Sequence, residues 1–74
     1  MTSYKNLSGD SGVTAYEVRE TAIVVKFKGG SAYLYDHQTP GRTEVEEMKR
    51  LAVQGRGLAT YINQNVRKRF ARKL

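Results

Sequence analysis

Apolar and polar residues alternate with a period of two in the first half of the chain, and this pattern predicts β-strands. The alternation is clearest in Thr21–Lys28, where the large apolar residues of one face are Ile23, Val25 and Phe27. Val13–Val18 fits a preceding strand and Ser31–His37 a returning one. Gly29 and Gly30 lie between the second and third of these segments along the chain and can adopt the positive φ angles of a tight turn. We therefore expect an antiparallel meander of about three strands.

The residues before Val13 have a different composition, rich in Ser, Gly, Asn and Asp. Such residues favour turns over regular structure. We expect a flexible leader over residues 1–12, with a loop at Ser8–Gly12, and a single domain over residues 13–74.

After Thr39–Gly41 the apolar spacing changes to that of an amphipathic helix. Thr43 and Glu46 have the spacing of a capping box, and Gly55 suits a helix C-terminus. We place Lys49 and Arg50 in the last turn of this helix, where the helix dipole favours positive charge. The predicted apolar face consists of Val45, Met48, Leu51 and Ala52.

A second helix is predicted from about Leu58 toward the C-terminus. Its apolar residues recur at steps of four, at Leu58, Ile62, Val66 and Phe70. A continuous helix would also bring Arg69 and Lys73 to the apolar side, so we expect its final turn to fray or project. The predicted fold is α+β, a small antiparallel meander followed by two helices packed on one face.

Positive charge is concentrated in the last third of the chain. The net charge is +6, from 13 Lys and Arg against 7 Asp and Glu. All the acids, and as many cations, precede Arg56, so this part of the chain is neutral. The remaining cations, with no acid among them, are Arg56, Arg67, Lys68, Arg69, Arg72 and Lys73. This asymmetry is the strongest functional signal in the sequence.

Five of these cations follow Val66, whereas a helix C-terminus needs one or two cations to complement its dipole. They have no acidic partner at helical spacing, so their mutual repulsion favours binding of an anion. We predict a small binding module that contacts phosphates of RNA, or of another polyanion, through a basic C-terminal helix: Arg67, Lys68, Arg69, Arg72 and Lys73. Arg56, before the second helix, could hold one further phosphate. The alternatives are a solvated surface, and an adaptor or self-associating domain that binds an acidic protein surface.

Tyr33 and Tyr35 lie on one face of the returning strand, and the length of the hairpin loop decides which face that is. A two-residue loop would pair Val25 with Leu34 and leave both rings beside lysines, as a platform for stacking bases. A three-residue loop would pair Val25 with Tyr35 and bury both rings under the helices. We favour burial, because tyrosines in small sheets are more often structural than ligand-binding.

The sequence offers little for catalysis. It has no cysteine and one histidine, His37, at a strand end. We predict no enzyme activity, no cofactor and no metal site. Apolar runs are too short to span a bilayer, and residues 1–10 do not resemble a secretory signal. We expect a cytoplasmic protein of bacterial type without membrane contact. The small core leaves a homodimer open.

The order of elements, with the residues in them, resembles the KTSC domain. The similarity rests on the segment Val25–Gly30, the Tyr33-Leu34-Tyr35 motif, and Tyr61-Ile62-Asn63 with Val66. This family is named for a C-terminal extension of some lysyl-tRNA synthetases and also occurs as stand-alone bacterial proteins. The resemblance implies the α+β fold and RNA binding, and it covers about Val13 to Phe70.

Overall fold

A computed structural model describes residues 1–7, 9 and 11–74. These residues form a five-stranded antiparallel sheet, with the strands in chain order, and two helices. The strands are β1 Thr2–Ser3, β2 Val13–Val18, β3 Ala22–Phe27, β4 Ala32–Asp36 and β5 Arg72–Lys73. The helices are α1 Arg42–Gln54 and α2 Leu58–Tyr61, and α2 continues as a π-helical turn, Ile62–Val66. The predicted α+β class is confirmed, with two strands more than expected.

The three central strands lie where the alternation predicted them, to within one residue at each end. Ile23 and Val25 of β3 are fully buried against the helices. The core between sheet and helices consists of Tyr4, Val13, Ile23, Val25, Tyr35, Val45, Met48, Ala52, Leu58, Ile62 and Val66. Both helices thus cover the same face of the sheet, as the apolar patterns indicated.

The β3–β4 hairpin has a three-residue loop, Lys28–Gly30, closed by the bond from Phe27 N to Ser31 O (2.8 Å). Val25 pairs with Tyr33 and Ile23 with Tyr35. The two-residue alternative is therefore wrong. The three-residue alternative puts both tyrosines on the correct face of the sheet, but it expected Val25 opposite Tyr35 rather than Tyr33. A shift of two residues along a strand leaves each side chain on the same face. Both tyrosines are on the helix-covered face, as favoured.

The N-terminal residues belong to the sheet. β1 pairs with β2, and the next residue, Tyr4, is only 6% exposed. Its hydroxyl accepts a hydrogen bond from Leu58 N at 3.2 Å. The sequence did not predict this strand, because two exposed polar residues carry no apolar alternation. The expected loop Ser8–Gly12 includes Ser8 and Asp10, which lie outside the described residues.

Helix α1 has the predicted apolar face, with Val45, Met48 and Ala52 buried. Gly55 ends it in the left-handed conformation, at φ 81°, as predicted. The predicted capping box is wrong: the helix begins one residue before Thr43, Gly41 is the N-cap, and no side chain caps it. Lys49 and Arg50 lie in the helix interior rather than its last turn, because the helix extends to Gln54.

The chain leaves the second helix at Arg67, the largest departure from the predicted structure. Arg67 adopts φ 53° and ψ −119°, and the last residues return along the edge of β4. Ala71 N donates to Leu34 O, and Leu74 N to Ala32 O, both at 2.8 Å. The prediction of a basic helix running to the C-terminus is therefore wrong.

Packing of Phe70 accounts for this reversal. The Phe70 ring lies 4.6 Å from the Tyr33 ring and 6.4 Å from the Tyr35 ring, between centroids. A continuous helix would have turned Arg69 and Lys73 toward the core together with Phe70. Reversing the chain buries part of Phe70 while both cations remain exposed, which avoids the cost of desolvating two charges.

Candidate nucleic-acid interface

The predicted basic cluster is divided by the chain reversal. Arg67 and Lys68 are exposed in the turn that follows the π-helical turn. The Arg69 guanidinium lies 3.7 Å from the Glu44 carboxylate and also donates to the carbonyl oxygen of Asn65. Arg69 is therefore partly neutralised by Glu44 of α1, an acid that lies close in the fold although none lies at helical spacing in the sequence.

The two cations of β5 point to opposite faces of the sheet, because successive strand residues alternate. Lys73 pairs with Tyr33 and Arg72 with Leu34. The Lys73 ammonium lies 6.0 Å from the centre of the Tyr33 ring, on the side of the helices. Arg56 is in the turn before α2, at the opposite end of that helix from Arg67. The six predicted cations do not form one surface.

A groove of about 340 Å³ lies between the β3–β4 hairpin and the turn after the π-helical turn. Its lining includes three half-buried aromatic rings and three exposed cations: Phe27, Tyr33, Phe70, Lys28, Arg67 and Lys68. We call it the aromatic groove. None of the described residues that line it is acidic. Aromatic rings bordered by cations are a combination by which many proteins bind single-stranded nucleic acids.

The three rings form a continuous wall centred on Tyr33. Phe27 packs edge-on against Tyr33 with centroids 5.8 Å apart, and Phe70 packs on Tyr33 with the ring planes tilted by 43°. Contacts of this kind hold rings in fixed positions. Because each ring is only half-buried, the wall also presents aromatic surface to the groove.

Tyr35 lies beneath this wall and is 2% exposed. Burial, together with the neighbouring Tyr33 hydroxyl, raises the pKa of Tyr35 to about 12. Of the two tyrosines proposed for stacking, the structure therefore leaves Tyr33 accessible and assigns Tyr35 to the core.

The π-helical turn positions one wall of the groove. Asn63 and Arg67 lie near the two ends of this segment, four residues apart, and both line the groove. Arg67 has a positive φ, which is uncommon for a residue with a side chain. π-helical turns and strained residues concentrate at functional sites, and here both occur next to the groove.

Sequence reasoning missed several residues of the groove. Phe27 and Phe70 were assigned to the core, and Lys28, Ser31 and Asn63 were given no role. The favoured burial of both tyrosines implies a three-residue hairpin loop, but Lys28 and Ser31 were not assigned to a site from that loop. Asn63 lies four residues before Arg67, a spacing that puts two residues on one helix face, but no signal in the sequence indicates that this face lines a groove.

A second polar cluster ties the end of the sheet to α1. The Glu46 carboxylate lies 2.9 Å from both His37 Nε2 and Lys49 Nζ. Lys49 also donates to the carbonyl oxygen of Glu20 at 3.0 Å. The hydrogen bond from Lys49, and then that from His37, lowers the pKa of Glu46. These contacts link three segments, and they account for the single histidine in structural terms.

No three His, Cys, Asp or Glu side chains among residues 1–7, 9 and 11–74 converge in a way that could hold a metal ion. Within the same residues, no helix has the length and apolar character needed to cross a bilayer.

Comparison of the chain with protein-family models, curated proteins and solved structures finds no match. The resemblance to the KTSC domain stays a prediction. The functional interpretation therefore depends on the aromatic groove and its charges.

Proposed function

We propose that this protein is a non-catalytic module that binds single-stranded nucleic acid through the aromatic groove, with RNA as the primary candidate ligand. The observation that carries the proposal is the meeting of three half-buried rings with three cations in one groove. The rings come from the hairpin and the C-terminal segment, which lie far apart in the sequence. The site is thus a product of the fold rather than of the basic segment alone.

The charges of the groove support a polyanionic ligand. Lys28 is contributed by the hairpin loop, and Arg67 and Lys68 by the turn on the other side. A phosphate backbone that follows the groove would meet cations from both elements. Lys and Arg remain charged at neutral pH, and each phosphate contact releases a condensed counterion, which supplies much of the affinity for nucleic acids.

The cations outside the aromatic groove differ in how they are placed relative to it. Lys73 lies against Tyr33, and its charge therefore borders the aromatic wall. Arg72 faces the opposite side of the sheet, and Arg69 is shared with Glu44. We infer that Arg67, Lys68 and Lys28 contribute most, Lys73 less, and Arg69, Arg72 and Arg56 least.

Salt dependence of RNA binding tests this proposal. If the three groove cations each neutralise one phosphate, log affinity for a single strand should fall with log salt at a slope of about −2. Replacing Arg67 and Lys68 by Gln should flatten the slope by about 1.4. The matched control replaces Arg19 and Arg50 by Gln. These cations pair with Glu17 and Glu47, so the control changes the net charge equally but leaves the groove intact.

Failure has two recognisable forms. If the wild-type protein does not bind RNA at low salt, the nucleic-acid proposal is wrong and an adaptor that binds an acidic protein surface becomes the leading candidate. If both double variants change the slope equally, the binding depends on net charge and not on the groove.

KTSC membership, a bacterial origin and a cytoplasmic location belong to the same proposal, and cell fractionation would check the last of these.

A further inference from the structure

We infer that the aromatic groove takes an unpaired base, so that the protein selects single strands over duplexes and reads bases as well as phosphates. This inference rests on the proposed function and names its ligand more narrowly. A purely electrostatic surface would bind any polyanion, whereas a groove with an aromatic wall can favour an exposed base.

The arrangement of the rings carries this inference. Phe27, Tyr33 and Phe70 are each half-buried and line the groove together. Folding usually buries such large apolar surfaces, because their removal from water is favourable. Here three rings leave part of their surface at one site, beside cations. A base stacked there would cover apolar surface that the fold leaves in contact with water.

The size of the groove fits one nucleotide rather than a helix. Its volume of about 340 Å³ is at the lower end of the range for small-molecule sites. In a duplex the bases are paired and stacked on one another, and proteins reach their faces only by unstacking them. A duplex could therefore touch the cations of the groove but not its rings.

Polar groups at the groove can meet the edge of the base. The lining includes the Asn63 amide and Ser31. The amide offers both donors and an acceptor, and the hydroxyl offers one donor and an acceptor. Lys28 and Arg67 stand on opposite walls, at places suited to the phosphates on either side of the nucleotide.

Three ligands of equal length separate this inference from charge alone: a mixed-sequence RNA single strand, an abasic strand with the same phosphates, and an RNA duplex. Stacking is worth about 1–3 kcal/mol per base, so the single strand should bind about 5- to 150-fold more tightly than the abasic strand. The duplex should bind no better than the abasic strand. Equal affinity for all three would overturn the inference while leaving nucleic-acid binding intact.

Substitution of Phe70 tests whether the aromatic wall provides the preference for a single strand with bases over an abasic strand. Phe70→Leu retains an apolar side chain against Tyr33 but removes the ring, whereas Phe70→Tyr retains the ring. Leu should reduce the ratio of single-strand to abasic affinity toward one, and Tyr should leave it within about twofold. Thermal melts of both variants would establish that they fold. If Phe70→Leu folds and keeps the wild-type ratio, the aromatic wall does not provide the preference for an exposed base, and the inference is wrong.

Proton NMR of the rings gives a readout that does not depend on any variant. The aromatic resonances of Phe27, Tyr33 and Phe70 should shift on addition of the single strand, because the ring current of a stacked base acts at short range. The abasic strand should leave them nearly unchanged. Equal shifts with the two strands would contradict base stacking.

Discussion

Tyr4 should be essential to the stability of this domain, although it lies in a segment whose composition indicates a flexible leader. The side chain is 6% exposed, and its hydroxyl accepts the hydrogen bond of Leu58 N, 3.2 Å away. Leu58 is the first residue of α2, and the first N–H groups of a helix have no partner within it. Tyr4 thus satisfies one buried donor of α2 and fills the core beneath it.

Two substitutions separate these contributions. Tyr4→Phe keeps the ring but leaves the Leu58 N–H unpaired, at a cost of about 1–3 kcal/mol. Tyr4→Ala also opens a cavity, and loss of a buried aromatic ring costs about 3–5 kcal/mol. A domain of this size has a total stability of about 4–11 kcal/mol. Tyr4→Ala should therefore remove most of the stability, and Tyr4→Phe a noticeable part of it.

Urea denaturation followed by circular dichroism measures both effects. With a slope of about 1 kcal/mol per molar urea, Tyr4→Phe should lower the midpoint by about 1–3 M. Tyr16→Phe is the matched control, since Tyr16 is only half-buried, and it should change the midpoint little. If Tyr4→Ala unfolds at the wild-type midpoint, the N-terminal segment does not belong to the core, and the assignment of β1 fails with it.

Two further predictions concern stability. Gly55→Ala should destabilise more than Gly30→Ala: both have positive φ, but a Cβ at Gly55 would lie 2.5 Å from Lys5 Cβ, whereas at Gly30 it would meet open space among the described residues. Comparison of their urea midpoints checks this, and equal midpoints would contradict the clash. The pKa of Tyr35 is raised to about 12 in the folded protein, so Tyr35 keeps its proton above pH 10, whereas the same tyrosine in the unfolded chain loses it. Because the unfolded state then binds fewer protons, the free energy of unfolding should fall between pH 10 and 12. Tyr35→Phe should remove that part of the loss, and it should also remove the tyrosine ionisation near pH 12 that ultraviolet titration of the wild-type protein should show.

Much of the fold could be predicted because the relevant signals are local. The alternation in β3 and the helical spacing of Val45, Met48 and Ala52 each place an element without knowledge of the others. Gly55 marks the end of α1 because its left-handed conformation suits glycine. These elements contain enough apolar residues for their periodicity to be recognised in isolation.

The two edge strands could not be predicted, since their formation depends on the rest of the sheet. β1 and β5 have two exposed residues each, and no apolar pattern identifies so short a strand. Phe70 also follows Val66 at the spacing of a helical stripe, so sequence alone extends the helix through Arg67. The observed chain reversal depends on the contact of Phe70 with Tyr33, which exists only after β4 has formed.

The candidate site was predicted in part for the same reason. Arg67, Lys68 and Tyr33 were identified from charge and from the tyrosine motif. Their meeting with Phe27 and Phe70 depends on a three-residue loop and a π-helical turn, neither of which has a distinct sequence signal. The basic surface inferred from a continuous helix is consequently replaced by a smaller groove with an aromatic wall.

Mapping amide chemical shifts during titration with a mixed-sequence RNA single strand tests the central claim most directly. The groove is built from three separate segments, around the β3–β4 hairpin, the π-helical turn and Arg67 to Phe70. The account predicts that resonances of all three shift together and saturate with one affinity, while those of α1 change little. Shifts spread over all exposed cations, shifts confined to residues 72–74, or no shifts at low salt would each contradict it.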